Sequence, residues 1–146
     1  MLDKKIYKIN SENDTKNLAK KLASSLQGDE IIVLTGELGS GKTKFTEGFL
    51  EYFGFHDISS PSFSIINEYD IKDGKTIYHF DVYRLEDEDE FLNIGGEEFF
   101  RKGICIIEWG EKIKDILPKK YIHIHIMRNF ELEDNKREIE IEYIGY

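Results

Sequence analysis

Apolar positions along this chain recur at every second residue in some blocks and at every third or fourth in others, the pattern of an α/β fold. Residues 6–9 read as a first strand. Ser11, with Asp14 three residues on, makes a capping-box-like start for a helix that carries Leu18, Leu22 and Leu26 on one face and is expected to end at Gly28. Residues 31–35 form a continuous apolar, β-branched run, as a parallel strand buried on both faces requires. A glycine-rich loop follows directly, and Phe45, Phe49, Leu50 and Phe53 then fall at helical spacing before Gly54 stops the segment.

Residues 64–69 and 76–83 predict an antiparallel hairpin around the Asp73-Gly74 pair. A helical stretch rich in Glu and Phe runs from about residue 86 to 102 and breaks near Gly95-Gly96. The second fully apolar strand spans residues 104–107, and a short helix over 110–117 is closed by Pro118. Residues 121–126 and 137–143 both alternate cleanly, so each is a strand with one wet face, and His123 and His125 share the polar side as solvated residues. No third ligand stands near them in sequence, which argues against a metal pair.

The expected architecture is therefore a P-loop NTPase-like three-layer α/β sandwich with a mixed, largely parallel central sheet and antiparallel hairpins, one domain over residues 1–146. The N-terminal residues lead into an alternating segment, so no secretory signal or spanning helix is expected there, and no membrane association. The lone cysteine, Cys105, lies inside an apolar run and reads as packing. Twenty Lys plus Arg against 29 Asp plus Glu give a net charge of −9, which opposes stand-alone binding to a phosphate backbone. The acidity concentrates in residues 86–90 and 131–134, either a solvated helix start and a hairpin loop or an acidic docking edge for a basic partner.

The chemistry sits in the loop. Gly36, Gly41, Lys42 and Thr43 occupy every fixed position of G-x-x-x-x-G-K-[ST] in the stretch Gly36-Glu37-Leu38-Gly39-Ser40-Gly41-Lys42-Thr43, between a buried strand and a helix. Glycines there let consecutive N–H groups turn inward at the positive end of a helix dipole, a cradle for phosphate. Lys42 supplies an ammonium for the β- and γ-phosphates, and the Thr43 hydroxyl is a hard oxygen suited to Mg²⁺. The only Asn-Lys, Asn135-Lys136, continues as Arg137-Glu138, so the guanine-reading Asn-Lys-x-Asp is missing and ATP is the expected nucleotide.

An acid ending a second buried strand is the other element such a site needs, and Glu108 stands there. Trp109, the only tryptophan, is expected to border the nucleotide. Asp81, in a polar cluster with His79, Tyr83 and Arg84, either positions water at the site or pairs structurally with Arg84.

Together with the loop, Ser60-Pro61-Ser62-Phe63, Asn67-Glu68-Tyr69, His79-Phe80-Asp81-Val82-Tyr83-Arg84-Leu85, Glu108-Trp109-Gly110-Glu111 and Leu117-Pro118 make the chain, over nearly its whole length, similar to the TsaE family of bacterial tRNA-modification ATPases. The resemblance implies a cytoplasmic Mg²⁺-dependent ATPase that works with TsaB and TsaD in making N6-threonylcarbamoyladenosine (t6A) beside the anticodon, meeting tRNA only through that complex. It implies Thr43 and Glu108 at the magnesium, Lys42 and the loop amides on phosphates, Asp81 in turnover, and Ser11 and Arg137 near the nucleotide. Family members usually carry threonine where this chain has Ser62, which keeps the hydroxyl. From the residues alone, a small-molecule P-loop kinase and a nucleotide-sensing module stay open as alternatives.

Overall fold

The computed structural model describes residues 4–37, 39–56, 58, 65–128 and 136–146. Leu38, the block 59–64 with Ser62, and the acidic stretch 131–134 lie outside the described residues. Seven strands, β1 (Lys4–Ile9), β2 (Ile31–Gly36), β3 (Ile66–Asp70), β4 (Thr76–Asp81), β5 (Ile104–Glu108), β6 (Tyr121–Arg128) and β7 (Arg137–Ile144), form one sheet in the order β1-β7-β6-β2-β5-β4-β3. The central strands β6, β2, β5 and β4 run parallel, and antiparallel partners flank them: β7 and β1 on one side, β3 on the other. The mixed, largely parallel sheet expected from the apolar runs is thus present.

Alternation along β2 and β5 divides the core into two layers. Ile32, Leu34, Ile104 and Ile106 face one side, where they pack against α1 (Glu12–Ser24) and α2 (Lys42–Tyr52) through Ala19, Leu22, Phe45, Phe49 and Leu50. Ile31, Val33, Cys105 and Ile107 face the other, covered by Phe91 of α3 (Glu88–Asn93) and Ile113 of a 3-10 segment, Gly110–Ile116. Each such large side chain contributes about 1.5–3 kcal/mol when taken out of water, which is why the doubly apolar strands sit in the middle. Cys105 is a core residue, with its thiol pushed up to about 12 by burial.

Local chemistry explains the element ends. Ser11 caps α1, its Oγ accepting from the Asp14 N–H at 3.1 Å. The helix ends at Ser24, before the expected stop at Gly28, because the Ser25 N–H turns back to the carbonyls of Leu22 and Ala23 while Glu30 gathers the N–H groups of Gln27, Gly28 and Asp29 into a separate turn. The β3–β4 hairpin turns through a short 3-10 segment, Lys72–Gly74, closed by the Ile71 N–H donating to the Lys75 carbonyl at 2.8 Å, with Asp73 and Gly74 both at positive φ. The acidic run 86–90 starts α3, where the Asp87 side chain accepts from the Glu90 N–H. After Gly95 the chain continues as a 3-10 segment, Gly96–Arg101.

One glycine sits in a helix interior against propensity. A Cβ at Gly48 of α2 would lie 2.5 Å from the Lys16 Cα of α1. Glycine there lets the two helices touch backbone to side, which seats the start of α2 at the end of β2.

Candidate functional site

The loop between β2 and α2 leaves the central sheet at the carboxyl end of β2, beside the carboxyl ends of β5 and β4, where open α/β sheets bind ligands. Gly36 ends β2 at φ +142°, and a Cβ there would fall 2.4 Å from the Ile126 carbonyl oxygen and 2.8 Å from Ser40 Oγ. Only glycine fits that turn. Gly41, at φ +118°, is the residue before α2 and offers no side-chain cap, so the first amides of the helix face the cavity without a side chain from that position in their way.

That cavity has a volume of about 370 Å³ and is lined by Gly39, Ser40, Gly41, Lys42 and Thr43 of the loop, Asp81, Glu108 and Trp109 from the neighbouring strand ends, Glu12 and Thr15 of α1, and Arg137 of β7. Ser40 Oγ is buried and has no hydrogen-bond partner among the described residues. Lys42 is only 5% exposed. Its Nζ donates to the Gly36 carbonyl and, at 2.9 Å, to the Glu37 carbonyl. Burial pushes its pKa down, against the opposing pull of Glu111, Glu108, Asp81 and Glu37.

Thr43 Oγ1 lies 3.3 Å from Glu108 Oε1. Two oxygens bound side by side to one octahedral Mg²⁺ stand about 3 Å apart, so a hydroxyl and a carboxylate at this spacing fit that ion. Both donors are hard oxygens. Glu108 is 1% exposed, and its second oxygen, Oε2, takes a hydrogen bond from His79 Nε2 at 2.5 Å. Asp81 pairs with Glu108 in the β4–β5 register and its Oδ1 accepts from the Tyr83 N–H at 3.1 Å. Burial, helped by the charge of Glu108, raises the Asp81 pKa although the Tyr83 hydrogen bond, His79 and Arg84 act the other way.

Of the residues singled out in the sequence, Gly39, Ser40, Gly41, Lys42, Thr43, Asp81, Glu108, Trp109 and Arg137 meet around this one cavity. Arg137 reaches the loop from β7, Nε donating to the Ser40 carbonyl at 2.9 Å and an Nη to the Gly39 carbonyl at 3.4 Å. Ser11 is the α1 cap, one residue before Glu12 at the cavity wall; Gly36 and Glu37 stand behind the loop as the carbonyl partners of Lys42. Trp109 adopts positive φ, which turns its ring over Lys42 and against Tyr83.

Three sets of contacts are invisible to motif reading. Glu111 Oε2 approaches the Gly36 N–H at 3.4 Å, His79 holds Glu108, and Thr35 Oγ1 meets both His123 Nε2 at 2.8 Å and His125 Nδ1 at 2.7 Å. The last corrects the reading of the two histidines as solvated. They share a face, but one partly covered and hydrogen-bonded to the residue before the loop, and burial lowers the His123 pKa. Among the described residues no group of three or more His, Cys, Asp or Glu is placed to hold a metal. The signal for His79 was its period: it falls on the inward face of β4 with Ile77, where an imidazole needs a partner.

Comparison with known proteins places the chain in a family. The family described as "Threonylcarbamoyl adenosine biosynthesis protein TsaE" matches residues 9–139. The tRNA threonylcarbamoyladenosine biosynthesis protein TsaE of Bacillus subtilis (strain 168) is 42% identical over 139 residues, covering 94% of this chain and 84% of that protein. Its namesake in Rickettsia conorii is 39% identical over 134 residues, covering 90% and 74%. The crystal structure of Bacillus subtilus YdiB superposes with a TM-score of 0.75 at 35% identity, over 99% of this chain and 88% of that one. With the fold, the loop and the family match all in agreement over most of its length, the chain belongs to the TsaE family.

Proposed function

We propose that the protein is a cytoplasmic, Mg²⁺-dependent ATPase acting with TsaB and TsaD in t6A modification of tRNA, and that tRNA reaches it only through that complex. The observation that carries the ATPase part is the joining, in one cavity, of the glycine loop with the Thr43–Glu108 oxygen pair. The pathway assignment rests on family membership and on the names of the relatives.

In this reading the loop amides and Lys42 bind the β- and γ-phosphates, with the ammonium turning from its carbonyl partners toward the anion. Thr43 and Glu108 would hold Mg²⁺, which when bound neutralises phosphate charge. Asp81, whose raised pKa makes it a better proton acceptor than an ordinary aspartate, orients water from the cavity wall it lines. Trp109 and Tyr83 form an aromatic wall that limits bulk water.

The test is ATP turnover by the purified chain alone and with TsaB–TsaD. A slow basal rate that rises at least about tenfold with the partners is expected, a change of about 1.4 kcal/mol in the barrier. No turnover in either condition would leave a nucleotide-sensing module, and phosphate transfer to a small-molecule acceptor in place of water would make the chain a kinase.

A further inference from the structure

We infer that His79 is a positioning residue for the metal site: by occupying Glu108 Oε2 it leaves Oε1 as the one carboxylate oxygen turned toward Thr43. The inference rests on the magnesium reading of the Thr43–Glu108 pair and adds the residue that aims it.

His79 and Glu108 are each 1% exposed. In the parallel β4–β5 register His79 stands opposite Ile106, two residues before Glu108, so the imidazole reaches forward across the strand pair to the carboxylate. The acceptor is a carboxylate, so Nε2 carries the proton. The far nitrogen, Nδ1, is buried with no hydrogen-bond partner among the described residues. An imidazole that leaves one nitrogen unsatisfied in the core is poorly accounted for as packing, since an apolar side chain of that volume would bury no orphan group.

What the residue does supply is orientation. Glu108 ends its strand with two equivalent oxygens and a rotatable carboxylate; the 2.5 Å hydrogen bond to Oε2 removes that freedom and points Oε1 at the Thr43 hydroxyl, 3.3 Å away. Groups that orient a metal ligand in this way typically account for about 10–100-fold in metal affinity. A residue kept only for stability would act on nucleotide binding equally with and without the ion.

The experiment is equilibrium dialysis of a non-hydrolysable ATP analogue across a range of Mg²⁺ concentrations, for the intact protein and for His79→Phe, His79→Asn and His79→Gln, with melting temperatures taken alongside. The phenylalanine fills the space without an N–H, the asparagine amide stops short of Glu108, and the glutamine amide can reach it. The Phe and Asn variants are expected to need about tenfold more Mg²⁺ for half-maximal effect, with Mg²⁺-free analogue affinity within about twofold, and Gln to recover most of the loss. Should Phe not fold, Asn against Gln makes the same comparison. Unchanged Mg²⁺ dependence in Phe and Asn, or equal losses with and without Mg²⁺, would overturn the inference while leaving the ATPase reading intact. Absence of any Mg²⁺ effect in the intact protein would overturn the magnesium reading and this inference with it.

Discussion

Lys42 Nζ lies 3.7 Å from the centroid of the Trp109 ring. The same ammonium donates to the carbonyls of Gly36 and Glu37, so the cation rests on a π face and on two backbone oxygens of its own loop. A phosphate offers a full negative charge in exchange for these neutral partners. Binding should therefore draw Lys42 off the indole.

Because Trp109 is the only tryptophan, its emission reports that movement without labelling. Adding ATP or ADP is expected to shift the intensity or wavelength of emission in the intact protein. Lys42→Ala should abolish most of the signal and weaken nucleotide binding by at least about tenfold, since a charge-assisted contact contributes about 1.5–3 kcal/mol. A wild-type titration curve from Lys42→Ala would show that the loop does not hold the phosphates.

Arg137 ties β7 to the loop through the carbonyls of Ser40 and Gly39. Arg137→Gln shortens the side chain and removes the charge, so the loop loses its strand-side support. Nucleotide affinity should fall about three- to tenfold, with a smaller effect on the melting temperature. Isothermal titration calorimetry beside a thermal melt checks both.

Gly48→Ala sets two effects against each other. Helix propensity alone would reward the change by about 1 kcal/mol. The new Cβ would meet Lys16 Cα at 2.5 Å and the Lys16 carbonyl oxygen at 2.6 Å, backbone atoms that cannot step aside, so α1 and α2 must separate. Overpacking wins, and urea unfolding should show a net loss of about 1–3 kcal/mol.

His123 links stability to acid. Burial first, and then His125, hold its pKa below 6.5, with Lys114 acting the same way and Glu142 and Glu140 opposing. The unfolded chain takes up this proton at a higher pH than the folded one. The stability the neutral ring contributes is therefore complete above pH 6.5 and is lost as pH falls from 6.5 toward the folded value. His123→Gln can keep a hydrogen bond to Thr35 but cannot titrate, so its unfolding midpoint should fall less between pH 7.5 and 5.5. Equal falls would remove His123 as the cause.

A net charge of −9 disfavours a polyanion. The isolated protein should show little affinity for tRNA at physiological salt in filter binding, and appreciable retention only when TsaB and TsaD are present. Tight, salt-sensitive binding by the chain alone would contradict the proposed route to tRNA.

What the sequence determined by itself was local. The β2–loop–α2 unit is legible because apolar period, glycine spacing and a helix start all fall within residues 31–53, and each depends on neighbours in the chain. Glu108 was legible for the same reason, as the acid that ends an apolar run. Even so, the end of α1 escaped, because Glu30 reaching back for three amides competes with the glycine stop. Only the tertiary structure decided what the strand order brings together. Placing β2 between β5 and β6 sets Thr35 against His123 and His125, 88 and 90 residues away, and Glu108 beside Thr43, 65 residues away. Placing β4 next to β5 gives His79 its carboxylate. Side-chain period tells which face a residue takes, but the partner on that face is chosen by which strands pair and in what register, and that choice is made by burial of the whole apolar set at once.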